Sequence, residues 1–388
     1  MKFRSISLLL IAEVAAMSLW FVSAAILPDM AGEASLSPAR QAALSSGVQL
    51  GFVIGALVSA IMGIADRFDP RRVFFFSAVA AGLINSALLV TPPGGTVAIL
   101  ARVLTGALMA GVYPVGMKIA VGWGKDDRGF LVSALVAALT LGSALPHLMA
   151  LTGGSDWRFT VIMASSASIL AGFLVLFVTL GPYHAIAPKF NPAAIANAWT
   201  NKNVRYAYGG YLGHMWELYA MWAWIGVAAT ASYAASMGSS DARWYGTLTA
   251  FLAIAAGGFM CIYAGKLADK IGKADVAIIA MWVSGVSALA TAFTFSGAPW
   301  LTFICIIVWG IAIIPDSAQF SALVADASPP EQAGSLMTFQ TALGFALTFA
   351  TVQITPALAE AFGWPTVLAG LALGPAFGVW SMRKLKQT

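Results

Sequence analysis

Charge is what this sequence lacks most. Asp, Glu, Lys and Arg make up 10% of its 388 residues, against 60% hydrophobic residues, whereas about a quarter of a soluble domain is charged. With a mean hydropathy of +0.83, a water-soluble globule is excluded and a bilayer is the expected solvent. Cysteine is nearly absent: Cys261 and Cys305 both fall in apolar stretches, so neither a disulfide framework nor a thiolate metal site follows. Three scattered histidines, at 147, 184 and 214, supply no cluster for a membrane enzyme to hold a metal or activate a nucleophile. No Walker motif is present, so direct ATP drive is not suggested. No cofactor is expected.

Apolar windows are abundant, each long enough to cross a ~30 Å hydrocarbon core at about 1.5 Å per residue. Twelve can be marked, at 5–27, 42–64, 73–91, 96–122, 130–152, 158–181, 206–235, 243–265, 274–296, 299–324, 333–358 and 364–382. Short connections between 96 and 181 and after 274 force neighbours to run antiparallel. The expectation is an all-α integral membrane protein: twelve transmembrane helices in two six-helix bundles, 1–181 and 206–388, joined by a linker at 182–205. The linker carries Lys189 and Lys202 and no acid. Its second half reads equally as a short helix on an anionic membrane surface or as plain chain, and His184 within it has no special role.

Basic residues set the orientation. With the N-terminus inside, sixteen Lys and Arg, from Lys2 and Arg4 to Lys384 and Lys386, share one face, and Arg40, Arg158 and Arg243 lie on the other. Both termini are therefore expected in the cytoplasm, in the inner membrane. The pI near 9.2 follows from this topology and implies no nucleic-acid partner. The basic start and the VSAA at 22–25 mimic a signal peptide, but cleavage would leave eleven spans and put the termini on opposite sides, so the segment is expected to be retained.

The two halves repeat. Glu13, Ala16, Met17 and Trp20 match Glu217, Ala220, Met221 and Trp224 at a constant offset of 204 residues, and Asp66 in MGIADRFDPRR matches Asp269 in GKLADKIGK at an offset of 203. Both aspartates fall in the loop after the second span of a half. Such a repeat is the mark of transporters built from two related units.

Those loops resemble the signature of the major facilitator superfamily of secondary transporters, Gly-x-Leu-Ala-Asp-Arg-x-Gly-Arg-Lys. The second copy keeps Gly265, Leu267, Ala268, Asp269, Lys270, Gly272 and Lys273; the first keeps Ala65, Asp66, Arg67 and Arg71 but has Met62, Asp69 and Pro70 at variance. LARVLTGALMAG at 100–111 also resembles the superfamily's span 4, with Arg102 and Gly106 in place. The resemblance implies a pseudo-twofold axis along the membrane normal, with Glu13 and Glu217 facing one another across a central cavity. It also implies alternating access and a link between Arg102 and proton coupling.

A charged side chain near mid-bilayer costs at least ~2.5–3.5 kcal/mol on insertion scales, so it usually faces a wet cavity or a partner. Glu13, Arg102, Glu217 and Asp316 are the candidates for proton coupling. His214, Glu217, Met221 and Trp224 lie on one helical stripe, which Glu13, Met17 and Trp20 repeat. These residues, with Tyr113, Gln319, Lys118 and His147, are the candidate lining of a substrate cavity. Bland readings stand beside these. Either glutamate can bond a carbonyl or a Trp in a packed interface, Arg102 can be a structural tie, and Trp20 and Trp224 can be packing. Lys118 projects about 160° from Arg102 and is expected to snorkel. Trp216, Tyr219 and Trp222 ring the helix and are read mainly as lipid contacts. Asp66, Arg67, Asp269 and Lys270 are candidate gates between the halves, or simple topology determinants.

The functional expectation is a monomeric, proton-coupled secondary transporter whose partners are a small organic solute and the lipid bilayer. Proton antiport of a cationic or amphipathic compound and proton-coupled uptake of an organic anion both remain open. The antiporter glycine run is missing from span 5, which reads LGSALPHLMA at 141–150, and that weighs against export. Nitrate is disfavoured, because spans 2 and 8 have no central arginine. A membrane sensor or enzyme is a distant alternative.

Overall fold

The computed structural model describes residues 1–125, 127–184 and 190–388; Lys189 lies outside them. Helix makes up 85% of the chain, with no strand among the described residues. In chain order, span 1 comprises Lys2–Met17 and Val22–Glu33, span 2 Pro38–Met62, span 3 Pro70–Asn85 with a 3-10 turn at Ser86–Leu89, and span 4 Thr96–Met109 and Tyr113–Val121. Span 5 is Arg128–Gly153, span 6 Trp157–Val175, span 7 Lys202–Met237, span 8 Ser239–Ile271 and span 9 Lys273–Thr294. Span 10 comprises Pro299–Ile313 and Ser317–Ala327, span 11 Pro330–Phe362, and span 12 Trp364–Leu371 and Leu373–Leu385. Both termini end on one face, called here the terminal face.

Eleven of these spans are long and apolar enough to cross a membrane by composition alone. The twelfth, span 7, has 36 residues, but its tyrosines, tryptophans, glycines and histidine dilute its hydropathy. It tolerates that polarity because it is buried along most of its length and shows little of itself to lipid.

The breaks position the site. Span 4 is interrupted at Ala110–Val112 and span 10 at Ile314–Asp316, next to Pro114 and Pro315 respectively. Proline lacks the amide that would continue the helix. Span 1 opens between Ser18 and Phe21, and the Ser18 hydroxyl turns back to the Ala15 carbonyl at 2.7 Å. Each break frees backbone carbonyls that must find partners inside the membrane.

Glycine sets the closest packing. Any Cβ at Gly51 or Gly55 of span 2, or at Gly106 of span 4, would overlap the facing backbone at Val103, Ala107 or Val48, so these two helices touch main chain to main chain. In the loop after span 2, Gly63 takes a left-handed φ of 61° to end the helix; Gly272, at φ 96°, separates spans 8 and 9.

The linker contains a 3-10 turn at Pro192–Ile195 and a short helix at Ala196–Thr200. It docks on protein: the Asn191 amide donates to Ser335 Oγ at 2.9 Å and Asn201 Nδ2 to the Ala327 carbonyl at 2.9 Å. Ala198 is buried beside Val324 and Leu336, while Trp199 is exposed.

Candidate functional site

A layer of aromatic rings closes the centre. Trp20 of span 1 lies 4.9 Å from Phe52 of span 2, 5.5 Å from Phe345 of span 11 and 5.9 Å from Tyr219 of span 7, centroid to centroid. Phe52 and Phe345 meet at 4.5 Å, and Phe21 packs on Tyr219 and Trp222. The layer thus draws on both halves. Tyr219 and Trp222 are 4% and 0% exposed, which corrects their reading as lipid contacts: both rings pack into the closed centre, while Trp216 is partly exposed. Trp224 is also buried, but its indole donates to the Val352 carbonyl of span 11 at 3.1 Å, outside this layer.

Away from the terminal face, the halves are tied further. Arg243 of span 8 pairs with Asp29 of span 1 and donates to the Gly154 carbonyl at 2.7 Å, and Ser46 Oγ of span 2 donates to Gln353 Oε1 of span 11 at 2.6 Å. The charges read as gates lie elsewhere. Asp66 pairs with Lys118, whose ammonium also donates to the Ala65 carbonyl at 2.7 Å, so this pair stays within the first half. Lys118 has snorkelled to the terminal face, which corrects its inclusion in the cavity. Arg67, Asp269 and Lys270 are on that face.

Between the aromatic layer and the terminal face lies a track of buried polar groups. Glu13 of span 1 is 0% exposed and its carboxylate rests against Gly116 of span 4, beside Phe74. Neither of its oxygens has a hydrogen-bond partner among the described residues. Tyr113, at the break in span 4, is within electrostatic reach of Glu13, of Tyr211 on span 7 and of Cys261 on span 8. Cys261 is likewise within electrostatic reach of Asp316 at the break in span 10, and Asp316 of Glu217. His214 Nδ1 and Asp316 Oδ1 are 2.9 Å apart, yet neither atom makes a well-formed hydrogen bond, and His214 Nε2 has no described partner.

Glu217 does not face Glu13 across an open cavity, as the resemblance implied. It turns into its own half, accepting from the Ser284 hydroxyl of span 9 and from Trp309 Nε1 of span 10 at 3.1 Å. The indole partner is the bland alternative weighed from the sequence. Both glutamates are buried in this conformation.

Arg102 is fully buried and meets no acid among the described residues. Its guanidinium donates to the Leu19 and Trp20 carbonyls at 2.9 Å each and to Asn85 Oδ1 at 2.6 Å, while Asn85 Nδ2 donates to Ser165 Oγ at 2.9 Å. Arg102 therefore caps the carbonyls freed by the break in span 1 and ties spans 1, 3, 4 and 6 together.

The remaining candidates are scattered around this track. Met17 packs on Gly142 of span 5, Met221 is buried in the core, and Gln319 is buried just after Asp316, its backbone N–H donating to the Asp316 backbone carbonyl at 2.9 Å. His147 sits beside Gly226 of span 7, its Nε2 without a described partner. Sequence reasoning missed Tyr211, Cys261, Phe52 and Phe345, whose side chains look in sequence like ordinary core residues. No group of three or more potential metal ligands occurs among the described residues.

The family model for the Major Facilitator Superfamily matches residues 8–347. The chain belongs to this superfamily. Its fold is shared with several solved transporters. A point mutant of the nucleoside transporter NupG is 14% identical with a TM-score of 0.73, covering 98% of this chain and 99% of its own. A bacterial homologue of the human lysosomal transporter Spinster, solved inward-facing and occupied, is 13% identical at 0.74, covering 99% and 96%. The xylose transporter XylE from E. coli, in a partially occluded inward-open conformation, is 12% identical at 0.76, covering 99% and 97%. Among curated proteins none matches this sequence at a significant level. At these identities the likeness shows the fold alone; membership of the superfamily makes the chain a multi-pass membrane transporter, and the mode of transport and the solute are left to the site itself.

Proposed function

We propose that this chain is a proton-coupled secondary transporter of a small neutral or cationic organic solute in the inner membrane, with both termini in the cytoplasm. One observation carries the reading: acids on spans of both halves, Glu13 and Asp316, are buried below the aromatic layer, Glu13 with no hydrogen-bond partner among the described residues and Asp316 Oδ1 2.9 Å from His214 Nδ1. A carboxylate in low dielectric is expensive unless it is protonated or paired. Loading Glu13 or the His214–Asp316 pair with a proton, or with a cationic solute, therefore changes the stability of the closed state, which is what coupling requires.

Electrostatics favour a neutral or cationic solute over an organic anion. Both basic side chains of span 4 are already engaged, Arg102 on carbonyls and Asn85, Lys118 on Asp66. The aromatic faces of Trp20 and Tyr219 suit a planar or cationic group. The Asp29–Arg243 pair and the aromatic layer close the periplasmic side, and the terminal face is the cytoplasmic one. Lys118 and Asp66 serve topology and local packing in this reading.

Proteoliposomes with an imposed pH gradient, offered radiolabelled organic anions, sugars and the cationic dye ethidium, test this directly. The gradient should drive ethidium or a neutral sugar at least tenfold faster than the anions. Equal flux with the gradient collapsed would replace coupling by facilitated diffusion; anion flux alone would reverse the choice of solute.

A further inference from the structure

We infer that Glu217, the repeat partner of Glu13, has become a positioning residue: it fixes span 10 against span 7 so that His214 meets Asp316 at the helix break. The inference rests on the proton-coupled reading and assigns different tasks to two acids that the sequence presents as twins.

Spans 7 and 10 are antiparallel and joined by two rungs. On the first, Trp309 Nε1 donates to Glu217 Oε2 at 3.1 Å; on the second, His214 Nδ1 and Asp316 Oδ1 are 2.9 Å apart. His214 lies three residues before Glu217, so on span 7 the two rungs share a face one turn apart; on span 10 Asp316 comes seven residues after Trp309, across the break at Ile314–Asp316. Ser284 of span 9 supplies a second donor to Glu217 and locks the carboxylate from behind. The second rung has no such support. His214 Nε2 has no partner among the described residues, and the imidazole touches the rings of Tyr211 and Phe320. Its geometry is therefore set by the relative placement of the two helices, which the first rung controls. Glu13 contrasts with this: it shares the offset of 204 residues but has no described donor on either oxygen.

The titratable groups around the lower rung are few. Span 7 presents Glu217 and Tyr211, and span 8 presents Cys261. Span 9 contributes Ser284 and span 10 the Trp309 indole. Span 11 offers Thr341 beside Tyr211, and span 12 packs on Gly213 through Gly374 and Gly378. A change in rung geometry is thus read mainly by His214 and Asp316 themselves.

The test is proton uptake by the detergent-solubilised full chain, followed with a pH-indicator dye through an acid–base titration, with no solute required. A glutamine can keep its carbonyl oxygen on the Trp309 indole and turn its amide nitrogen to the Ser284 hydroxyl, which can accept, so Glu217→Gln should keep the wild-type number of protons and the wild-type midpoint. Glu217→Leu removes the acceptor and should move the midpoint by about one pH unit, a tenfold change in proton affinity. Trp309→Phe, which leaves Ser284 in place, should move it less. Asp316→Asn should remove the transition attributed to the pair. Loss of one proton in Glu217→Gln would show that Glu217 itself exchanges protons and overturn the inference, as would an unchanged midpoint in both Glu217→Leu and Trp309→Phe. No titration in the wild type would defeat the proton-coupled reading as well, and is a separate result.

Discussion

Arg102 shows how much a single buried side chain can settle. The sequence required this guanidinium to find an acid or several carbonyls, and it found the Leu19 and Trp20 carbonyls and Asn85. Removing it strands buried acceptors at about 1–3 kcal/mol each. Arg102→Ala should therefore lower thermal stability in detergent by several kcal/mol, and Arg102→Lys, which cannot reproduce the planar fork, should recover only part of it. Equal melting temperatures for wild type and Arg102→Ala would show that the cap on span 1 is dispensable. At this scale the sequence identified which groups were unusual, since charge in an apolar run is easily seen. It could not say where they point: Glu13 and Glu217 share a motif, but the donors that separate them, Ser284 and Trp309, lie on other spans 67 and 92 residues away.

Helical spans were legible from hydropathy, and their breaks only in part. Pro114 and Pro315 mark the breaks in spans 4 and 10, but the opening in span 1 has no proline and is capped by Arg102 from span 4. Glycine contacts were equally hidden, because a Gly in an apolar helix does not announce its neighbour. Gly51→Ala should disrupt the contact between spans 2 and 4 and sharply reduce folded yield, while Gly370→Ala, with nothing within 4 Å of the added carbon, should be neutral. Comparable size-exclusion profiles for both would refute the main-chain contact.

Element ends give a pH-dependent case. Asp69 caps span 3, accepting from the Arg71 amide at 2.9 Å and from its guanidinium at 2.6 Å. The Arg71 side-chain hydrogen bond, helped by the backbone amide and the nearby charge, holds its carboxyl below the usual aspartate range. A carboxyl depressed in the folded state contributes stability above its unfolded value, near 3.9, and loses it as pH falls through the folded one. Asp69→Ala should then cost about 1 kcal/mol at neutral pH, and the gap from wild type should close as pH falls below about 4. A gap constant with pH, read by thermal unfolding, would show that charge plays no part in the cap.

Across the whole molecule, the two halves are held together away from the terminal face by Asp29–Arg243, Ser46–Gln353 and the layer built on Trp20, Phe52, Tyr219 and Phe345. Asp29→Asn should favour opening there. Cysteine placed at Ser46, in a chain with Cys261 and Cys305 replaced by serine, should then react several-fold faster with a membrane-impermeant thiol reagent; an unchanged rate would mean that the pair is no gate. The sequence foresaw twelve spans and the superfamily because composition and repeated loops are local signals. The signature loops drew attention as gates because their charges repeat locally, whereas Asp29 and Arg243, 214 residues apart, give no local sign of their pairing. The central claim is that a proton on Glu13 is coupled to solute movement, and proteoliposomes carrying Glu13→Gln test it most directly. Gradient-driven accumulation should fall at least tenfold while solute exchange without a gradient persists; full accumulation in that variant would contradict the account.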